Sequence, residues 1–404
     1  MAVCCCAAGA AACRWLFLGA LRSGYSRGLQ VGQGTMIKVL HFFKTYYPDS
    51  MGGIEQVIFQ IAEGTREHGV QSEVLYLSPR GAARNEPVGS HLTHRSKLDL
   101  HVASTGFSLS VIKDFAELAA QADIVHYHFP WPYMDLVHFL GRLNKPTVVS
   151  YHSDIIKQKW LLKLYQPLMS RFLSNVDRIV VSSPNYAAHS QVLTRFKDKL
   201  AIIPFGLDRA TYPSATVEKL AYWRARMSER FFLFVGALRY YKGLDYLLQA
   251  ASINRLPVVI IGGGFLEAQL KQQAAELRLD NVQFLGSLAD DDRAALLELC
   301  YAFVFPSHLR SESFGISLLE AAMYGKPLIC CEMGSGTTFI NLADQTGLVV
   351  PPRDAAALAQ AMQRLWDDPA MAQAMGAKAL QRYEEVFTAS AMAGAYADLY
   401  RSLL

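Results

Sequence analysis

From Met36 onward, short β-branched apolar runs alternate with longer stretches whose apolar positions recur at helical spacing. The first half carries IKVLHF from Ile37, SEVLYL from Ser72, DIVHYH from Asp123, PTVVSY from Pro146, RIVVSS from Arg178 and LAIIPF from Leu200. Helical stretches such as Gly53 to His68 and Pro184 to Thr194 lie between them. This alternation predicts parallel strands joined by helical crossovers. A polar helical connector follows Leu207, and the series restarts with FFLFVG from Phe231, PVVIIGGG from Pro257, NVQFLG from Asn281, YAFVFP from Tyr301, PLICC from Pro327 and GLVVPP from Gly347. Beyond Asp354 come three helical stretches without a strand. The expectation is an α/β chain with two doubly wound sheets facing a cleft, and ligands beyond the carboxyl ends of the strands.

Bulk composition agrees with two domains. A chain of 404 residues, 51% hydrophobic and 18% charged, exceeds one ordinary core and is not disordered. The formal charge is +4, and three of those positives (Arg14, Arg22, Arg27) sit in the acid-free first 35 residues, leaving about +1 from Met36 onward. That is too weak a basic field for a nucleic-acid binder of this size. Four of the seven cysteines crowd the same N-terminal stretch, and Cys300, Cys330 and Cys331 lie in apolar runs. No spacing suggests zinc, so a reduced, cytoplasmic protein is expected. Residues 1–35 read as an extension, either disordered or preceding the true start, with a targeting peptide as the alternative. Arg14 breaks their apolar run, which argues against a spanning helix.

The most informative segment is SESFGISLLEAAMYGKP, Ser311 to Pro327. It follows the apolar run Tyr301 to Pro306 and reads as strand, loop, helix, with Glu312 in the loop, a glycine turn at Gly315 and Glu320 in the helix. Free backbone N–H groups at such a helix start bind anions. Two carboxylates beside an anion-binding helix end suggest a site for a sugar nucleotide. Gly52 and Gly53 precede another helix and suit either a close approach to phosphate or a plain turn. Arg239 and Lys242 follow FFLFVGAL, where fixed cations would stabilise charge on a departing diphosphate.

Taken together, GGIEQV, VHYHFPWP, SYHSD, IPFGLD, RYYKGLDYLL and the Glu-seven-residues-Glu segment make the chain, over nearly all of Met36 to Leu404, resemble the retaining family 4 glycosyltransferases. The likeness is strongest to bacterial mannosyl- and rhamnosyltransferases of lipopolysaccharide O-antigen assembly. It implies the GT-B fold: an N-terminal acceptor-side domain over 36–210, a nucleotide-sugar domain over 211–387, and a last segment, 388–404, crossing back to the first domain. It also implies roles. His152 would touch the transferred sugar near its anomeric carbon. Glu312 would bind the sugar hydroxyls, and Phe314, Gly315 and Ile316 would offer backbone N–H groups to sugar and phosphate. Glu320 would hold the ribose hydroxyls. Gly53 would contact the donor diphosphate, and Gly52 would lie on the acceptor side. The wider family carries arginine directly after the strand-end glycine, where this chain has Ala237; Arg239 lies two residues later.

The resemblance further implies a metal-independent reaction that retains anomeric configuration by front-face departure and attack, the departing phosphate taking the acceptor proton. The co-substrate would be a nucleotide diphosphate sugar, GDP-linked in preference to UDP-linked, and no cofactor is expected. The acceptor would be a lipid-linked saccharide at the inner face of the cytoplasmic membrane. In that setting Ile155 to Phe172, which mixes Lys157, Lys159, Lys163 and Arg171 with Trp160, Leu161, Leu164 and Tyr165, reads as a segment for peripheral contact with anionic lipid or as an ordinary amphipathic helix interrupted by Pro167.

His126 and His128 stand near strand ends and either line the acceptor side or pack; with His152 they invite a metal reading that no nearby carboxylate or cysteine supports. Gly262, Gly263 and Gly264 lack dinucleotide-fingerprint spacing and suit a loop bordering the nucleotide. Asp290, Asp291 and Asp292 precede a helical stretch, and capping and dipole effects explain them. The competing functions are a sugar-nucleotide epimerase, which needs no acceptor, and a non-catalytic nucleotide-sugar-binding subunit. An NAD-dependent oxidoreductase is weaker, because no fingerprint follows the first strand.

Overall fold

The computed structural model describes residues 36–404 except 51, 103–104, 142 and 156–158. The reading of residues 1–35 lies outside the described residues. The chain forms two compact units. Of the described residues, one contains those from 36 to 182, Ser190–Asp208 and Thr388–Leu404; the other contains Ser183–His189 and Arg209–Phe387.

The first unit is built on β1 (Ile37–Phe42), β2 (Val70–Ser78), β3 (Ala83–Val88), β4 (His91–Lys97), β7 (Ile124–Phe129), β8 (Thr147–Tyr151), β9 (Arg178–Val181) and β10 (Leu200–Ile202). Their order is β10-β9-β8-β7-β1-β2-β4-β3, parallel except for the edge pair β3–β4. Six of these strands are the apolar runs of the first half, and their central members are buried on both faces, as sheets covered by helices require. The edge hairpin was not foreseen. Its strands, ARNEPV and HLTHRSK, are mostly polar, and their buried polar residues are satisfied by hydrogen bonds. His91 Nδ1 lies 2.6 Å from Glu63 Oε1, His94 Nε2 lies 2.9 Å from Glu73 Oε2, and Gly89 turns between the strands at φ +61°. A further two-stranded ribbon pairs β5 (Leu100–Val102) with β6 (Thr105–Phe107).

The helix Lys159–Asn175 continues through Pro167, contrary to the expected interruption. Pro167 is on the exposed side, where solvent can serve the carbonyl that its ring leaves without a donor.

The second unit is one parallel sheet of β11 (Phe232–Val235), β12 (Val258–Ile261), β13 (Val282–Gly286), β14 (Ala302–Phe305), β15 (Leu328–Cys331) and β16 (Gly347–Val350), ordered β13-β12-β11-β14-β15-β16. All six correspond to the second series of apolar runs. In both sheets the order reverses beside the first strand, at β1/β7 and at β11/β14. Such switch points open a crevice at the carboxyl ends of the strands.

The closing helix, Ala389–Arg401, belongs to the first unit. Thr388 caps it, accepting from Ala391 N at 3.2 Å, and bridges to Leu207. A Cβ on Gly206 would come within 2.2 Å of the Thr388 carbonyl oxygen, so the close crossing requires glycine. The helix lies over a buried polar seam of the sheet. Register pairs His41 with His126 and His128 with Ser150, which puts all four on one face together with His152 two residues beyond Ser150. Tyr400 Oη is 2.7 Å from His126 Nδ1, His126 Nε2 is 2.8 Å from Ser150 Oγ, and Tyr396 Oη is 2.9 Å from that Ser150 oxygen.

Burial pushes the His41 imidazole down to about 3 and His152 likewise to about 3. It holds His126 and His128 well below the ordinary histidine range, and neighbouring histidines add to the effect. These rings are therefore neutral when folded, whereas they titrate near ~6.5 in the unfolded chain. The unfolded state takes up protons first as pH falls, so the stability present above ~6.5 is lost on the way down to about 3. Thermal melts should show a falling midpoint already between about pH 6.5 and 5, above the range where ordinary carboxylates titrate. His41→Phe should flatten that part of the curve; equal slopes in the two proteins would contradict the assignment.

Candidate active site

In the second unit, the loops leaving β11 and β14 emerge side by side because those strands pair in parallel, Phe232 with Ala302 and Leu233 with Phe303. The first loop makes a short 3-10 turn, Tyr240–Lys242, and ends on Gly243 at φ +69°. A Cβ on Gly243 would meet the Pro306 carbonyl oxygen at 2.1 Å, so glycine lets the first loop lie against the second.

Lys242 and Glu312 meet across that contact. Lys242 Nζ is 2.5 Å from Glu312 Oε2, and Ser307 Oγ donates to the same oxygen at 3.4 Å. Lys242 is only 8% exposed, which a lysine tolerates only when paired. Its ammonium also lies 4.6 Å from the Phe305 ring centroid. Arg239, by contrast, is exposed at the start of the turn, and its carbonyl accepts from Lys242 N at 3.0 Å. Ala237 is also exposed in this loop. The structure thus brings Lys242 and Glu312 into direct contact and places Arg239 on the same loop at its solvent side.

Past Glu312 the chain buries Phe314 and turns at Gly315, φ +101°, into the helix Ile316–Met323. A Cβ on Gly315 would lie 3.2 Å from the Phe305 ring, so both conformation and space call for glycine. The helix starts with backbone donors from Ile316 onward, and Arg209 donates to the Met323 carbonyl at its far end at 2.6 Å. Glu320 is buried on this helix. Its Oε1 accepts from the Tyr212 hydroxyl at 3.0 Å and lies 3.9 Å from the Arg293 guanidinium. The Glu320 carboxylate holds Arg293 above the ordinary arginine range.

Sequence reading missed Tyr212, Arg293 and Ser307. They come from other elements, and no motif joins them to Glu312 or Glu320. The glycines after β12 pack against the loop that follows β11: a Cβ on Gly262 would strike the Gly236 carbonyl oxygen at 2.0 Å, and one on Gly264 the Leu238 carbonyl oxygen at 2.6 Å. The acids at 290–292 fill the first turn of the helix Asp290–Leu299, where its dipole favours them as expected, and Asp291 Oδ1 accepts from Asp292 N at 2.9 Å, but the N-cap position is Ala289 and not one of the acids. Asp292 also accepts from Lys219 Nζ at 2.7 Å and Trp223 Nε1 at 2.9 Å, tying two helices together.

In the first unit, Gly52 is the N-cap of the helix Gly53–Gly64. The Glu55 carboxylate folds back to within 2.4 Å of where a Gly52 Cβ would be, and Thr45 Oγ1 donates to it at 2.8 Å. Space beside Gly53 is open. The anion-favouring end of this helix therefore already holds a carboxylate. His152 follows β8, its N–H bonded to the Phe129 carbonyl at 3.0 Å and its ring 5.6 Å from that of Phe205. His126 and His128 are fully buried, with their ring nitrogens bonded to other side chains, so neither presents an exposed atom to an acceptor. The histidine nitrogens near enough together to consider for an ion belong to His41, His126 and His128, within 4.8 Å of one another. Both nitrogens of His126 and both of His128 are already hydrogen-bonded, which does not fit a ligand set.

Comparison with known proteins places this geometry. Residues 51–211 match the model for glycosyltransferase family 4, and residues 218–382 match that for glycosyl transferases group 1. The chain is 58% identical over 353 residues to the D-rhamnosyltransferase WbpZ of Pseudomonas aeruginosa, covering 87% of this chain and 93% of that protein. It is 49% identical over 368 residues to the O-antigen chain mannosyltransferase C of Escherichia coli, covering 91% of this chain and 99% of the relative. Its fold matches that of sucrose-phosphate synthase from Thermosynechococcus elongatus with a TM-score of 0.75 at 22% identity, covering 91% of this chain and 99% of the other. The two parallel-sheet units are those of the GT-B fold, and the chain belongs to the family 4, or group 1, glycosyltransferases.

Proposed function

We propose that this chain transfers a hexose, D-rhamnose or mannose, from a GDP-linked donor to a lipid-linked saccharide in O-antigen synthesis, with retention of anomeric configuration. The observation that carries the reading is the buried Lys242–Glu312 pair at the β11/β14 switch point, next to the backbone donors that begin at Ile316. A cation, a hydroxyl-binding carboxylate and a helix N-terminus on adjoining loops form a set suited to a sugar diphosphate. The names of the two relatives support the sugar and the pathway.

In this mechanism Lys242 and Arg239 face the diphosphate, and Lys242 exchanges its contact with Glu312 for the β-phosphate. The sugar–oxygen bond breaks with its electron pair going to that phosphate. Fixed positive charge then stabilises the leaving group more as charge develops, which lowers the barrier instead of merely tightening binding. Glu312, released, accepts hydrogen bonds from sugar hydroxyls, with the N–H groups of Phe314, Gly315 and Ile316 alongside. His152 contacts the transferred sugar, Gly53 lies by the diphosphate, and Glu320 holds the ribose. The acceptor hydroxyl attacks the face the phosphate leaves, and the phosphate takes its proton, so no protein nucleophile is needed.

For the acceptor side, the helix Lys159–Asn175 exposes Leu164 between Lys163 and Arg171, which supports contact with an anionic lipid surface. Among the described residues no helix is long and apolar enough to cross a membrane.

Lys242→Met and Glu312→Gln should each lower turnover by roughly 100-fold or more, the scale for one lost transition-state contact. Each single change leaves a buried group unpaired, so the double variant should melt no lower than the less stable single variant. Wild-type rates in both single variants would end the site assignment. In a thermal-shift panel, GDP and GDP-sugars should stabilise the protein more than UDP or ADP counterparts; a ligand at ~100 times its dissociation constant adds about 2.7 kcal/mol over the unliganded protein. A preference for uridine would reassign the donor. Sedimentation with phosphatidylglycerol vesicles should be weakened by Lys163→Glu with Arg171→Glu; unchanged binding would remove this helix from the membrane contact.

A further inference from the structure

The histidines of the first unit form a connected ladder. His41 Nδ1 is 3.1 Å from His128 Nε2, and His128 Nδ1 is 3.0 Å from His152 Nε2. The rings of His41 and His128 are stacked with centroids 5.4 Å apart, and those of His128 and His152 with centroids 5.3 Å apart. His126 stacks on His128 at 4.5 Å but takes its bonds elsewhere, to Ser150 and Tyr400. At the closed end, His41 Nε2 is fully buried with no hydrogen-bond partner.

A neutral imidazole has one N–H and one bare nitrogen. Each link of the ladder needs one N–H and one lone pair. With both links made, the three rings have only two arrangements: all protonated on Nδ1, or all protonated on Nε2. A change at His152 therefore requires the same change at His128 and His41. It also turns the orphaned His41 nitrogen from a bare acceptor into an unpaired N–H, or the reverse. Those two buried states differ in free energy, since an unsatisfied donor and an unsatisfied acceptor are not equally tolerated.

We infer that His41 and His128 are positioning residues that hold His152 in a single tautomer, so that its outer nitrogen, Nδ1, presents one fixed hydrogen-bonding polarity. The inference deepens the proposed function and rests on its reading that His152 contacts the sugar. If Nδ1 alternated between donor and acceptor, only a fraction of the molecules would be competent for that contact at any moment. The burial that keeps all these rings neutral also keeps the ladder intact across the physiological range. An ion among His41, His126 and His128 would have to break links that are already made, so the ladder accounts for these rings better than a metal does.

The test is long-range ¹⁵N-edited NMR of the histidine rings in the full-length protein. His41, His128 and His152 should each show one tautomer, and the same one. A different tautomer in any of the three, or an averaged pattern at His152, would overturn the inference without any variant being made. In His41→Asn, whose amide can turn either an N–H or its carbonyl oxygen towards His128 Nε2, both arrangements are satisfied at the closed end, so His152 should move to an averaged pattern and kcat should fall roughly 10-fold, with KM for the donor held within about twofold. His41→Phe, which makes His128 Nε2 the orphaned end, should keep a single tautomer at His152. An unchanged His152 pattern in a folded His41→Asn protein would refute the ladder. So would zinc bound by the wild type with metal-shifted ring signals and lost in that variant. The parent reading fails separately: if His152→Ala keeps full turnover, the sugar contact is wrong while the ring pattern of the wild type still stands or falls by itself.

Discussion

Parallel pairing of β11 with β14 is the constraint on which the candidate site depends. Two neighbouring parallel strands release their following loops at the same end of the sheet, and here those loops carry a lysine and a glutamate that meet at 2.5 Å. Neither side chain would be stable in its place alone. Lys242 is almost sealed from water, and an unpaired ammonium there would carry the full cost of desolvation. In the proposed mechanism the pair is a stored arrangement: each partner holds the other in position until a ligand with a diphosphate and hydroxyls offers both of them new partners.

The first unit applies the same topology to neutral groups. Its switch point at β1/β7 collects histidines in place of an ion pair. Burying four imidazoles is tolerable because burial keeps them uncharged and because serine, tyrosine and the other rings accept or supply their hydrogen bonds. The C-terminal helix is part of this solution. Tyr396 and Tyr400, 246 and 274 residues from Ser150 and His126, bring the hydroxyls that complete the seam. The return of residues 388–404 to the first unit thus has a chemical reason as well as an apolar one.

Much of this was legible in the chain itself. The apolar runs located all six strands of the second sheet and six of the eight in the first, because a buried parallel strand must be apolar on both faces. The β3–β4 hairpin escaped notice because the buried residues of β4 include Thr93, His94 and Ser96, satisfied by hydrogen bonds that sequence spacing does not reveal. Pro167 was expected to break a helix that continues through it, because on an exposed face the lost hydrogen bond has solvent as a substitute.

Local sequence determined the glycine turns and the loop carboxylate: Gly315 before a helix and Glu312 within the preceding loop follow from short-range backbone geometry. It did not determine that Glu312 meets Lys242, 70 residues away, or that Tyr212 and Arg293 gather at Glu320. Nor did it reveal His41 as the closed end of a ladder reaching His152, although IKVLHF carries that histidine in plain view. Such contacts arise from strand order and register, which decide which residues of distant segments share a face and an end of the sheet. Periodicity along one segment reports how that segment is buried; only the pairing of segments reports what each buried group touches.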